Sequence, residues 1–414
     1  VNKVVVTGIG LVSTLGKSLE ESWKNLLEGK TGIRLHQPFP EQELVPLGLI
    51  GQQPSELSEL TQMVLTDLLY DAELELPLTD CAVVIGSSRS YQGSWEKMSQ
   101  KMSQKMSSLS PAQAQPYLDH SLEPSLEPWL ETLPHMGAIA VARQMGVCGP
   151  VLAPMAACAT GIWALSQAAL MIQTGQCQQA IAGAIEAPIT PLTLSGFRKM
   201  GALAKTGAYP FDIYREGLVL GEGAALFVLE SADSAKKRQT KIYGEILGFG
   251  LTADAYHSNQ PEPTGKSAIL AIKQCLKRSD LNLKDIDYIH AHGTATRLND
   301  YIESIIIQDL FNSRFNSRFN SSTAVSSTKG STGHTLGASA ALGVAFTLMA
   351  LREEILPPCV GLHQPEFDLD FVLTAREIRT QKALCFSFGF GGTNAVIALS
   401  AAGNQSSRRV RQLF

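Results

Sequence analysis

Residues 151–175 read VLAPMAACATGIWALSQAALMIQTG. An apolar segment leads into AACATG at 156–161, and an amphipathic pattern follows at once. Ile162, Leu165, Ala169 and Ile172 fall on one helical face, and Gly175 supplies the stop. Cys158 therefore stands just ahead of a helix. A helix N-terminus presents unpaired N–H groups and a partial positive charge, which lower a thiol pKa and favour thiolate. The small neighbours leave room for a substrate. Taken alone, a cysteine between alanines also reads as buried filler.

Outward from this unit, short β-rich runs alternate with longer helical patterns, which points to an α/β fold. Strands are expected at 4–7, 81–85, 180–185, 224–229, 288–292, 383–387 and 395–399. After His334, residues Leu342, Ala345, Phe346 and Met349 form a second helical face. The charged stretch 236–241 follows an apolar strand, and the seam between two halves, 1–235 and 236–414, is placed there. The end, GNQSSRRVRQLF, has little periodicity and is read as loose or docked on a surface. Three tandem repeats stand out: KMSQKMSQKMS at 97–107, LEPSLEP at 122–128 and FNSRFNSRFNSS at 311–322. They are far shorter than the about 20 residues of a solenoid unit. Two readings stay open. They are exposed segments tolerant of insertion, or the first two shape a cap over a substrate channel, with Met98, Met102 and Met106 turned inward.

The 414 residues suit two domains or two fused halves. Apolar residues make up 44% and charged residues 17%, enough for a sizeable core. A net charge of −4 leaves no basic footprint of nucleic-acid binding, while a local basic patch for an acidic protein partner stays open. Seven scattered cysteines without CxxC spacing favour a reducing compartment over a disulfide frame or a zinc site. The opening VNKVVVTGIGLVSTLG reads as a first strand and turn rather than a signal peptide. No run approaches eighteen uninterrupted apolar residues, so no membrane span is expected. These features imply a soluble, cytoplasmic protein.

Three further motifs carry chemistry. IHAHGTAT at 289–296 ends a strand on His292, where α/β sites gather, with His290 two residues before it. SSTKGSTGHTLG at 326–337 sets Lys329 and His334 among glycines and hydroxyls. Its lysine precedes the glycines, so it is not a phosphate loop. SFGFGGTN at 387–394 is a glycine-rich turn between strands that lets backbone N–H groups approach a ligand. It opens no helix and does not read as a dinucleotide site.

In this order, the four pieces resemble the elongating β-ketoacyl-[acyl-carrier-protein] synthases, above all the type II enzymes of fatty-acid synthesis. VVVTGIGLVSTLG at 4–16, GAIEAPITPL at 183–192, PFDIYREGLVLGEGAA at 210–225 and DAYH at 254–257 extend the resemblance from Val4 to about Leu399. It implies a thiolase-like fold of two similar α/β halves stacked in five αβαβα layers, usually in a homodimer. It implies that an acyl carrier protein brings acyl and malonyl thioesters on a phosphopantetheine arm, with no resident cofactor and no metal. Carried over by position, Cys158 is the nucleophile, His292 and His334 serve malonyl decarboxylation, and Lys329 supports them. Phe390 is the gate and, with the Cys158 N–H, the oxyanion hole. Thr294 and Thr296 would bond the pantetheine, with Phe388 and Gly391 beside the substrate.

The chemistry gives each group a reason. Thioester exchange needs a soft nucleophile, and an enolate or tetrahedral oxyanion needs aimed N–H donors. The sequence departs from the family pattern at several points. TPxxD reads TRLND, with Arg297 for proline. Gly343 stands where glutamate is common. Tyr209, Ile213 and Tyr214 alter RPFDKDRDGF, the loop 201–209 is short, and 55–68 lacks basic residues for a carrier. Arg198, Lys199 and Lys205 are candidate replacements for carrier docking.

Three rivals remain. A non-catalytic chain-length-factor-like partner subunit would lack the nucleophile. A thiolase would need a second cysteine in a CxG turn, which Cys385 does not provide. An initiating synthase would place asparagine at His334.

Overall fold

The strand Val4–Ser13 is buried along its whole length and pairs antiparallel with Gly223–Ser231. It begins a pattern that the chain repeats. In this computed structural model, which describes residues 2–108, 127–312 and 323–403, two sets of five strands share one topology. The first runs Val4–Ser13, Gly223–Ser231, Gln179–Glu186, Cys81–Gly86, Val151–Leu152. The second runs Gly244–Ala253, Thr393–Ala401, Lys382–Gly389, Tyr288–His290, Ala324–Ser326. In each set the first two pairings are antiparallel and the last two parallel. A short strand Asp370–Phe371 adds to the edge of the second. Residues 4–6 pair with residues 244–246, which joins the sets into one eleven-stranded sheet.

Five layers result. The helices Thr160–Gln173 and Ser339–Glu353 touch each other and strands of both sets, and so form the central layer. Leu57–Ala72 and Met136–Met145 cover the outer face of the first set, and Lys266–Arg278 covers the second. Leu57–Ala72 and Lys266–Arg278 each lie over a Gly-x-Gly in the first strand of their set. A Cβ at Gly10 would fall 2.4 Å from the Val64 carbonyl oxygen, and one at Gly250 would fall 1.8 Å from that of Ala271. Large side chains there would push the helices off the sheet. Apolar side chains between the layers form the main core, Trp23, Phe227 and Phe346 among them.

Each central helix is entered through a single 3-10 turn, Ala157–Ala159 in the first half and Leu336–Ala338 in the second. Each turn opens on a residue with left-handed backbone, Ala157 at φ +47° and Leu336 at φ +42°. Such a conformation costs a non-glycine residue energy and persists only where surroundings enforce it.

The expected strands and both central helices form, with longer ends. The strand expected at 288–292 stops at His290. Gly244–Ala253 was not expected, because its glycines break the apolar alternation. The charged stretch at 236–241 begins as the end of a helix, Ala232–Arg238, which packs on Val4–Ser13 and Gly223–Ser231. The methionine repeat is a helix, Gln92–Ser107, but it buries none of its residues in this chain, and Met102 is 65% exposed. The inward methionine stripe is therefore not found. Its sparse apolar content, three methionines and Trp95 among polar residues, gives it little to bury. Most of the other two repeats, and the tail from residue 404, lie outside the described residues. Among the described residues, Leu336–Glu353 is long and apolar enough to cross a membrane, and it is buried between the sheets. All seven cysteines are unpaired.

Candidate active site

The Cys158 Sγ and a ring nitrogen from each of His292 and His334 all lie within 4.8 Å of one another. All three side chains are buried, and the imidazoles meet edge to face with centroids 5.5 Å apart. Three structural elements deliver them. Cys158 comes from the first 3-10 turn, His292 from the end of Tyr288–His290, and His334 from the approach to the second 3-10 turn.

His334 is held by its backbone. Its N–H donates to the Val219 carbonyl (2.6 Å), and the Gly221 N–H donates back to His334 (3.0 Å). The GLVLGEG motif thus acts as a rail for this histidine. The Leu336 N–H donates to His334 Nδ1 (3.1 Å), and Ser339 Oγ lies 2.8 Å from the same atom. A backbone N–H can only donate, so Nδ1 is an acceptor and the proton of the neutral ring sits on Nε2. Burial, with the positive Lys329 second, holds His334 well below the usual histidine range. The same two causes, in the same order, hold His292 neutral.

His292 loses its place in the sheet to a carboxylate. Glu303, fully buried on the helix Arg297–Ile307, accepts the N–H of His292 (2.6 Å) and of Gly293 (2.8 Å). That capture explains why the strand ends two residues early. Burial raises the Glu303 carboxyl, against the pull of the Gly293 N–H. Lys329 donates to the His292 carbonyl, and its Nζ lies 3.4 Å from His292 Nδ1. Burial lowers its pKa, while Glu303 opposes that shift. Behind this group lies a third buried imidazole, His290, with Nε2 3.1 Å from Thr328 Oγ1. Burial pushes it down to about 3.

The expected low thiol pKa is not found. Burial raises Cys158 to about 11, and Lys329 and the Phe390 N–H only partly offset it. The thiol is neutral in the resting protein because desolvation of a thiolate outweighs one helix end and a nearby cation. The glycine-rich hairpin supplies that Phe390 N–H and is pinned to the turn that carries Cys158. Ser387 Oγ donates to the Cys158 carbonyl (2.9 Å), and Thr393 Oγ1 donates to that of Ala156 (3.0 Å). A Cβ at Gly389 would sit 2.4 Å from Thr393 Oγ1 and 3.0 Å from the Cys158 nitrogen, so only glycine lets the strands approach. Asp254 braces the hairpin tip. It accepts from Asn394 Nδ2 (2.7 Å), and its N–H donates to the Gly392 carbonyl (2.8 Å).

Cys158, His292, His334, Lys329 and Phe390 thus converge. Phe388 packs edge-on to His292, centroids 6.0 Å apart. Thr294 and Thr296 bond each other through their hydroxyls (2.8 Å) rather than the three central side chains. Gly391 has φ +80° and faces open space. Glu303, Ser339, Asp254 and Asn394 were not singled out from sequence. The acidic pair Asp300 and Glu303, three residues apart in an amphipathic helical pattern, was the readable signal for the first. One thiolate-forming and two imidazole donors make a set of the kind that binds zinc. The ammonium of Lys329 beside His292 opposes a second cation there.

Residues 1–59 and 51–235 match the N-terminal domain of beta-ketoacyl synthase, and residues 243–363 match its C-terminal domain. The chain is 34% identical over 418 residues to the putative mitochondrial 3-oxoacyl-[acyl-carrier-protein] synthase of Schizosaccharomyces pombe, covering 95% of this chain and 97% of that one. It is 32% identical over 426 residues to 3-oxoacyl-[acyl-carrier-protein] synthase 2 of Coxiella burnetii, covering 96% and 98%. Among solved structures, it is similar to a chain of a type II polyketide-synthase complex, in which an acyl-carrier protein accompanies its ketosynthase bound to the hexaketide. The TM-score is 0.86 at 26% identity, covering 97% of this chain and all of that one. With matches in both halves and such identity across nearly the whole length, this chain belongs to the beta-ketoacyl synthase family.

Proposed function

We propose that this chain, a carbon–carbon-bond-forming acyltransferase, loads an acyl group from acyl carrier protein onto Cys158 and extends it with malonyl carrier protein. The observation that carries the reading is the thiol set within 4.8 Å of two neutral imidazoles. In loading, the Cys158 sulfur attacks the acyl thioester, and its proton leaves with the carrier thiol. The high pKa of the resting thiol is compatible with this, since no net proton is taken up or released.

In extension, malonyl thioester loses CO₂ and becomes an enolate. The His334 Nε2–H and the His292 ring are the aimed donors for its oxygen. The enolate carbon then attacks the acyl-cysteine, and the N–H groups of Cys158 and Phe390 receive the tetrahedral oxyanion. Collapse releases a 3-oxoacyl carrier product and a Cys158 thiolate, which takes one proton from solvent. Lys329 positions His292. Thr294, Thr296, Phe388 and Gly391 border the arm of the carrier. The reaction so written needs no resident cofactor.

The intact nucleophile disfavours the partner-subunit reading. Two copies are proposed to pair through the short edge strand Val151–Leu152, where Leu152 and Met155 are exposed. Unpaired cysteines favour a reducing compartment, cytoplasmic in this reading, although two relatives are named as mitochondrial. Intact-mass spectrometry with acyl carrier thioesters tests the proposal. An adduct on the wild type and none on Cys158→Ala, released as 3-oxoacyl product on malonyl addition, is expected. A folded protein that forms no adduct with any donor overturns it.

A further inference from the structure

Arg89 follows the strand Cys81–Gly86, and its side chain is in none of the ion pairs among the described residues. Its guanidinium lies 5.9 Å from the centre of the Phe197 ring. Phe197 stacks on Phe390, centroids 5.8 Å apart, and Phe390 is the residue whose N–H reaches the Cys158 sulfur. The Arg89 charge is felt at that thiol. Yet its Nε is buried and has no hydrogen-bond partner among the described residues.

The obvious counter-ion is taken. Glu186 is fully buried, and its carboxylate accepts from Ser87 Oγ (2.8 Å), Ser88 Oγ (2.7 Å) and the N–H groups of Ser88 (2.7 Å), Arg89 (2.8 Å) and Gly337 (2.9 Å). Its five donors include the Arg89 backbone and exclude the Arg89 side chain. A buried guanidinium nitrogen without an acceptor is costly and calls for a partner, which a bound ligand can supply. The flanking residues Ser90 and Ala187 border a cavity of about 400 Å³, whose walls include Glu56, Glu96, Lys97 and Gln100. That volume suits a small-molecule chain; Phe39, Leu57, Tyr91 and Ile189 line it beside those polar groups, and Arg89 stands next to its wall rather than in it.

We propose that Arg89 is a specificity-determining residue that holds an oxygen function on the acyl chain carried by Cys158. The preferred donors are then chains bearing keto, hydroxyl or carboxylate groups rather than fully saturated ones. This rests on the assignment of Cys158 as the acyl acceptor. Arg89 takes no part in bond making; it selects the chain.

The test compares carrier thioesters of matched length, saturated against hydroxylated and terminally carboxylated, by the rate of mass increase on the protein. Wild type is expected to load oxygenated chains roughly tenfold faster or more, the scale of one charged hydrogen bond. Arg89→Met is expected to reverse that order, and Arg89→Lys to keep its direction. Equal or faster loading of saturated chains by wild type overturns the assignment, even where Arg89→Met does not fold. An unchanged preference in folded Arg89→Met also overturns it. Both results leave the condensing reaction standing, whereas loading with no donor at all removes both.

Discussion

Gly343 makes room for His290: a Cβ at residue 343 would lie 2.8 Å from His290 Cε1 and 2.9 Å from Nδ1. The position where the family commonly carries glutamate is thus emptied, and an imidazole occupies the space below Lys329. The departure seen in the sequence is one half of an exchange between helix and strand. Gly343→Ala is expected to destabilise the fold by about 1–3 kcal/mol through overpacking. Adding His290→Ala should recover at least half of that loss. Thermal unfolding of the three proteins measures it, and an unchanged midpoint in Gly343→Ala would refute the exchange.

His290 also sets a pH dependence. Its pKa is lowered to about 3 in the folded protein, by burial first and Lys329 second, from an ordinary value of 6.5. Below pH 6.5 the unfolded chain binds a proton that the folded one refuses, so stability is lost as pH falls toward 3. The slope from this one group approaches about 1.4 kcal/mol per pH unit. Urea unfolding at several pH values between 4 and 7 should show His290→Asn with a shallower acid loss than wild type by about that slope. Parallel curves would exclude a neutral His290.

Cys158 in the resting protein should behave as a protonated thiol. With its pKa raised to about 11 by burial, the alkylation rate at this residue should climb roughly tenfold per pH unit from pH 7 to pH 10. Peptide mapping after short iodoacetamide pulses reads this directly. A plateau below pH 9 would show that the helix terminus and Lys329 win after all.

The two imidazoles should matter after loading, not during it. His334→Ala is expected to acquire the acyl group at Cys158 yet lose roughly 10²–10³-fold in CO₂ release and condensation, the range seen for removal of one oxyanion donor. Single-turnover mass measurements separate the steps. Loss of loading with condensation of preloaded protein intact would reverse the assignment.

Besides Lys205, exposed in the loop that follows, the proposed replacements for a basic carrier-docking helix are Arg198 and Lys199, both exposed near the end of the helix Pro191–Lys199. Charge reversal at both should raise KM for a carrier-bound donor several-fold, with kcat little changed, and flatten its salt dependence. A pantetheine donor without carrier should be unaffected. Equal effects on both donors would argue for damage to the site itself.

The candidate site was legible through the joint order of motifs that are each weak alone: Cys158 before a helix, His292 at a strand end, Lys329 and His334 in a glycine-rich run. What sequence order alone does not carry is burial and cross-chain distance. The high thiol pKa of Cys158 comes from layers packed around it. The early end of the His292 strand depends on Glu303, eleven residues away on the next helix. Gly244–Ala253 escaped notice because its glycines serve the helix Lys266–Arg278, and that need is visible only once both are placed. The methionine spacing was read as helical with two readings left open, and the exposed one is found, since periodicity gives a face but not what covers it.

The matched turns Ala157–Ala159 and Leu336–Ala338 give the chain two cradles of one design and unequal contents. The middle place holds the thiol of Cys158 in one and Gly337 in the other. A Cβ at Gly337 would strike the Glu186 carboxylate at 2.3 Å, so the second cradle has no vacancy for a nucleophile. Its backbone N–H instead anchors the carboxylate beside Arg89. On the proposed assignment of Cys158, one cradle reacts and the other braces, and one acyl group per chain is the expected load.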